Sequence, residues 1–226
     1  MVKKCSKLIT QNTGSKIIAI TGTTSGIGKA IARKFKQENW QVIELSLPDF
    51  DVRNVEQIQN LKLPKLDVFV NNAGIMPLID FEKTKLEDWE DIINTNLRGP
   101  FFLSQKVIPL IKNKGHLINI ASISGIYPEK EFIVYSISKA GIIMLTQCLA
   151  KRYGERIFIN SISPGYIRTK LTGQPLPQKL IDTIPMKRVA EPEEVADLVW
   201  FIVNNKYLNG TNIIFDNGLF VKYYGP

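Results

Sequence analysis

Six short runs rich in Ile and Val, at 16–21, 41–46, 66–71, 116–121, 157–162 and 212–215, alternate with longer segments of helical spacing at 27–39, 86–112, 134–153 and 193–204. The runs lack a polar face, which is the pattern of strands covered on both sides in a parallel sheet. Strand, helix, strand, helix therefore predicts an α/β chain, a doubly wound parallel sheet with helices on both faces. Ligands of such sheets sit beyond the carboxyl ends of the strands, so functional residues are sought there.

No repeat, low-complexity tract or linker divides the 226 residues, so a single domain over 1–226 is expected. The formal charge is +8, but the 29 Lys and Arg are scattered among acids without a basic run, and nucleic acid is not expected as a partner. Two cysteines, Cys5 and Cys148, are too few for a disulfide framework, and no Cys/His cluster has metal-ligand spacing. The basic start of the chain is followed by Thr10, Gln11, Asn12 and Thr13 where an export signal would need an apolar run. The longest uncharged windows are broken by Gly, Asn, Thr or Pro, so no membrane span is expected, and a reducing, cytoplasmic setting is.

The first run ends in Thr21-Gly22-Thr23-Thr24-Ser25-Gly26-Ile27-Gly28 and passes straight into a helix. Such a turn brings backbone N–H groups and the positive end of a helix dipole close to a phosphate. A triphosphate-binding loop would need Gly at 23 and Ser or Thr at 30, where Thr23 and Ala30 stand. Further segments follow in order at strand ends or helix starts: Asn71-Asn72-Ala73-Gly74, Asn96-Leu97-Arg98-Gly99, Ala121-Ser122-Ile123-Ser124-Gly125, Tyr135-Ser136-Ile137-Ser138-Lys139 and Pro164-Gly165-Tyr166-Ile167-Arg168-Thr169. Any one could be chance. The ordered set, from residue 16 to about 218, resembles the short-chain dehydrogenase/reductase family, whose sheet is of the Rossmann type.

Tyr135 and Lys139 are four apart, so on a helix both side chains leave one face. A phenol ordinarily titrates near 10; an ammonium ~4 Å away at an effective dielectric of ~20 favours the phenolate by ~4 kcal/mol, about three pKa units. That would bring Tyr135 near neutrality. The resemblance implies that Ser122 orients and polarises a substrate oxygen, Tyr135 exchanges its proton, Lys139 lowers the Tyr135 pKa and holds the nicotinamide ribose, and Asn96 supports a water relay to Lys139. It also implies NAD(P) contacts at Gly22, Ser25, Ile27, Gly28, Ser46, Asp51, Val52, Asn72, Ala73, Gly74, Tyr135, Lys139, Pro164, Gly165, Ile167 and Thr169, with Asp51 and Val52 lining the adenine pocket. Taken singly, Tyr135 reads as a core aromatic, Ser122 as a strand-end cap and Lys139 as a solvated residue. The apolar run 140–145 beside Lys139 weakens that reading, because a buried lysine needs a partner.

After the second run only Leu47-Pro48-Asp49-Phe50 separates Ser46 from Asp51, where many members of the family insert a helix and a strand. An acid at Ser46 would favour NAD; its absence tilts the expectation to NADP, with Asp49 as a substitute that would favour NAD. A substrate lid is expected around 169–187, apolar through Leu171, Leu176, Leu180, Ile181 and Met186. The one histidine, His116, is expected at the surface, and no G-x-S-x-G elbow exists for a hydrolase. The expectation is an oxidoreductase interconverting an alcohol and a ketone or aldehyde, with a small-molecule substrate, working as a homo-tetramer or homo-dimer through the segments 86–112 and 134–153. The alternative is an inactive NAD(P)-binding sensor or scaffold of the same fold.

Overall fold

A computed structural model describes residues 14–173 and 175–224; Cys5 and the basic start of the chain lie outside them. Six strands, β1 Ile17–Thr21, β2 Gln41–Leu45, β3 Leu66–Asn71, β4 Ile111–Ile120, β5 Phe158–Pro164 and β6 Asn212–Phe215, form one parallel sheet in the order β2-β1-β3-β4-β5-β6. The helices are α1 Gly26–Gln37, α2 Val55–Asn60, α3 Leu86–Ile93, α4 Gly99–Val107, α5 Ile133–Tyr153, α6 Gln178–Ile181, α7 Pro192–Asn204 and α8 Leu219–Tyr224. The chain winds outward from β1 to β2 and then returns to build the other half from β3. The crevice between the ends of β1 and β3 is thus the place where such a fold binds its ligand.

Period-two alternation divides the apolar residues between two layers. Ile18 and Ile20 of β1, Val68 and Val70 of β3, and Ile118 and Ile120 of β4 join Ile31 and Phe35 of α1 and Val199 and Ile202 of α7. Ala19, Phe69 and Leu117, from the same strands, face Ile58, Leu103 and Val107 on the other side. Burying one of these larger side chains contributes roughly 1.5–3 kcal/mol. Phe35, Trp40 and Trp200 close one end of the first layer with ring centroids 5.0–6.0 Å apart. Exposed strand residues are Glu44 of β2 and Ile214 of β6, on the two outer strands, and Lys112, Asn113 and Lys114 at the start of β4.

Two expectations about elements are corrected. The segment 86–112 is not one helix: α3 gives way to a wide turn at Asn94–Arg98, α4 begins with Pro100 near its start, a short turn Ile108–Leu110 carries Pro109, and β4 has begun by Ile111. Pro100 and Pro109 lack the N–H that a continuous helix requires. His116 is not at the surface; it is 5% exposed and stacked on Phe158 at 5.0 Å. Burial, helped by the Lys16 charge, pushes its pKa down to about 4. Trp89 and Phe101, by contrast, stay partly exposed. Helix α5 is long and apolar enough by length and composition to cross a bilayer, yet it carries Lys139 and packs on β4 and β5. Cys148 is an exposed free thiol.

Candidate active site

The glycine turn is locked onto β3. Thr21 Oγ1 accepts from the N–H groups of Asn72 (2.9 Å) and Ala73 (3.0 Å), and Asn72 Nδ2 donates to the carbonyls of Thr21 and Gly22, both at 2.9 Å. Gly22 has φ +71° and a Cβ there would stand 2.8 Å from the Ala73 Cα; a Cβ on Gly28 would collide with the Gly22 carbonyl and the Asn72 amide. Only glycine permits this approach. Helix α1 has no acid in its first turn and no side-chain cap from Ser25, so its leading N–H groups are left to an anionic ligand.

A cleft of about 600 Å³ opens from this turn along the carboxyl ends of the strands. Gly22, Ser25, Ile27, Ser46, Asp51, Val52, Asn72, Ala73, Gly74, Ser122, Tyr135, Lys139, Pro164, Gly165, Ile167 and Thr169 all line it. Two of the predicted residues do not. Gly28 lies behind the turn, where it lets α1 pack on β1, and Asn96 is buried beside it rather than in its wall. The cleft's volume, its glycine cradle and its anion-ready helix end fit a dinucleotide.

Ser122, Tyr135 and Lys139 come together on the opposite wall, all buried. Ser122 Oγ accepts from Ser124 N at 3.1 Å and donates to Ser124 Oγ at 3.2 Å, and it stands close enough to the Tyr135 hydroxyl to favour its phenolate. Lys139 Nζ is 5.6 Å from the Tyr135 ring centre and donates to the Ile120 carbonyl at 2.9 Å. Burial pushes the Tyr135 pKa up to about 12, which the Ser122 hydrogen bond opposes and the Glu129 charge reinforces. Burial likewise pushes Lys139 down to about 8. The expected fall of the phenol toward neutrality is therefore not present in the protein alone: desolvation of the phenolate outweighs an ammonium that is directed to a carbonyl.

Asn96 owes its position to the wide turn at Asn94–Arg98. Its Oδ1 accepts from Ile75 N (2.9 Å), and its Nδ2 donates to Ile75 O (2.8 Å) and Ser138 Oγ (3.2 Å). It clamps the strand-end loop after Gly74. A Cβ on Gly74 would lie 3.3 Å from Asn96 Oδ1 and 3.6 Å from Lys139 Nζ, so Asn96 and the lysine approach each other across this glycine.

At the β2 end, Ser46 Oγ is taken up by Thr23, accepting from its N–H at 2.7 Å and meeting its hydroxyl at 2.9 Å. Asp49 is exposed and is not among the residues that line the cleft. Asp51 is held by Arg53, whose hydrogen bonds keep its carboxyl below the usual range, and Arg53 also reaches Asp91 at 3.2 Å. Two charged cleft residues escape sequence reasoning. One is Arg53, directly after the Asp51-Val52 pair. The other is Glu129, which stands beside Ser122 and Tyr135 and whose only signal is its place six residues before the tyrosine. The lid contributes Thr169, Lys170, Leu171 and Thr172, while Leu176 and Ile181 pack with Ile184 and Leu219 instead of covering the cleft.

A doubly wound sheet with a phosphate-ready glycine turn facing a Ser, Tyr and Lys wall defines an NAD(P)-dependent oxidoreductase acting on alcohol and carbonyl groups. Known proteins narrow the class. A family model described as enoyl-(acyl carrier protein) reductase matches residues 50–220. The chain is 36% identical to 3-oxoacyl-[acyl-carrier-protein] reductase of Thermotoga maritima, over 91% of this chain and 98% of that one. It is 32% identical to meso-2,3-butanediol dehydrogenase of Serratia marcescens, over 90% and 94%. The solved structure of a 4-hydroxyisoleucine dehydrogenase complexed with NADH superposes with a TM-score of 0.84 at 30% identity, covering 91% of this chain and 98% of that one. The chain belongs to the short-chain dehydrogenase/reductase family.

Proposed function

We propose that this enzyme interconverts a small-molecule alcohol and its ketone or aldehyde, with Tyr135 as the general acid and base. The observation that carries the reading is the convergence of Ser122, Tyr135 and Lys139 on one wall of a cleft whose other end is a glycine turn at a helix N-terminus. A bound nicotinamide dinucleotide would supply the hydride donor or acceptor. Gly22, Ser25, Ile27, Asn72, Ala73, Gly74, Pro164, Gly165, Ile167 and Thr169 would hold it, with Gly28 shaping the turn and Asp51 and Val52 flanking the adenine. In the carbonyl-reducing direction, Ser122 donates to the substrate oxygen and Tyr135 delivers the proton; in the alcohol-oxidising direction, Tyr135 removes it. A phenol at about 12 rests protonated, so it holds the proton that carbonyl reduction needs, but it is a weak acid until its surroundings favour the phenolate. Lys139, part of whose population is neutral at about pH 8, binds the ribose and exchanges protons with the tyrosine, while Asn96 fixes the loop beside it.

NADP is favoured, because Ser46, directly after β2, stands where an acid would favour NAD. The chain would work as one domain in the cytoplasm. A dimer or tetramer would bury the groove between α4 and α5 that Phe101, Ile108, Leu145 and Leu149 line. The test is a screen of alcohols and carbonyls, following reduced nicotinamide absorbance with each cofactor. Turnover that Tyr135→Phe removes supports the reading. Cofactor binding without turnover of any compound would favour a sensor or scaffold instead.

A further inference from the structure

The loop joining Ser122 to α5 carries two acids, Glu129 and Glu131, and they have different surroundings. Glu131 meets Lys130 at 3.5 Å near the surface. Glu129 is half-buried and has no ion pair or hydrogen bond to its carboxylate among the described residues. It lines the main cleft beside Ser122 and Tyr135, and it also lines a side pocket of about 130 Å³ that opens between this loop and α8. The nearby ammonium groups are directed elsewhere. Lys139 donates to the Ile120 carbonyl, Lys222 donates to the Thr183 carbonyl at 2.7 Å, and Lys170 on the lid makes no ion pair with Glu129.

A carboxylate removed from water without a counter-ion is costly, and burial with the Glu131 charge raises its pKa accordingly. Its field reaches both phenols of the site, Tyr135 and Tyr166. The rest of the side pocket is part aromatic and part aliphatic: Tyr166 shares it with Tyr127 and Tyr223, whose ring centres are 6.2 Å apart, and with Ile123, Leu180 and Leu219. A cation drawn to the carboxylate also gains quadrupole attraction from aromatic rings that line the same pocket. A hydroxyl-rich ligand could hydrogen-bond Glu129 but would leave its charge uncompensated. An anionic group would be repelled.

We propose that Glu129, with the tyrosines of the side pocket, binds an ammonium group of the substrate, so that the enzyme acts on an amino alcohol or amino ketone whose oxygen lies at Ser122 and Tyr135. This rests on the oxidoreductase reading above and names its substrate class.

The test compares isosteric pairs that differ only in ammonium against hydroxyl: 1-amino-2-propanol with 1,2-propanediol, and 4-amino-2-butanol with 1,3-butanediol, at pH 7.5 with NAD and NADP. The amino member of at least one pair should have a kcat/KM at least about tenfold higher, and Glu129→Gln should bring that ratio to about one. Calorimetry on protein saturated with reduced cofactor reads binding of the same pairs without turnover, and cofactor titration checks that the variant is folded. Equal or tighter binding of the diols by the unaltered enzyme overturns the proposal whatever the variant does. Equal loss on both members of a pair in Glu129→Gln overturns it too. Turnover of neutral alcohols with no amine preference would leave the oxidoreductase standing and remove the ammonium site. Glu129-dependent amine binding without turnover of any alcohol would do the reverse.

Discussion

Two bases in the second half of the sheet, His116 at the start of the buried part of β4 and Lys139 in α5, are both buried and both weakened by burial, to about 4 and about 8. Their positions differ. His116 lies beside Phe158, the first residue of β5, and its Nδ1 has no hydrogen-bond partner among the described residues; Lys139 lies past the carboxyl end of β4, bonded to the Ile120 carbonyl and facing the cleft. A perturbed pKa therefore does not mark a site by itself. What marks it is the end of the sheet at which the group stands and what shares its wall.

The strongest way to break this contrast is Tyr135→Phe, which should lower kcat by 10²–10⁴-fold while cofactor affinity, read by nicotinamide fluorescence, stays within a few-fold. Unchanged turnover would remove Tyr135 from the chemistry. Next, Lys139→Met should cost about 10²-fold in kcat/KM and at the same time raise the melting temperature of the cofactor-free protein by several degrees near pH 7. The sign follows from linkage: the lysine's folded pKa lies below its unfolded value, so folding carries a penalty of about 3 kcal/mol below pH 8 that fades between 8 and 10.5. A variant that melts lower would show that the buried ammonium is better compensated than its surroundings indicate. Gly28→Ala should weaken cofactor binding about tenfold or more, since the new methyl would press on the Gly22 carbonyl and disturb the turn.

The smallest effect on activity belongs to His116→Gln, with kcat/KM expected within twofold. Its signature is in stability. Above pH 6.5 neither state of the histidine is protonated; as pH falls from 6.5 to 4 the unfolded chain takes up a proton that the folded one refuses, so up to about 3 kcal/mol is lost. Denaturant melts of the unaltered protein should show that loss, and those of the variant should lack it.

Much of the site was legible because its signals are local. Gly22, Gly26 and Gly28 follow one another in a single turn and Tyr135 and Lys139 are a helical turn apart, so spacing orients them, while the family resemblance joined Ser122 to that pair. The strand alternation likewise gave the sheet and its order of layers. What escaped depends on distant partners. Neither the reach of Arg53 to Asp91 nor the stacking of His116 on Phe158 is written in neighbouring residues. The wide turn that lets Asn96 reach Ile75 interrupts a helical pattern that continues on both sides, and periodicity passed over it.

The brevity of the chain between Ser46 and Asp51 leaves β2 at the border of the sheet, with one row of backbone groups turned away from β1. Such a border can recruit a strand from a neighbouring molecule and seed aggregates. Glu44, exposed there and tethered to Lys36 at 2.6 Å, places a fixed charge in the middle of that border. With the connection this short, an ion pair stands on the border where an additional strand would otherwise lie.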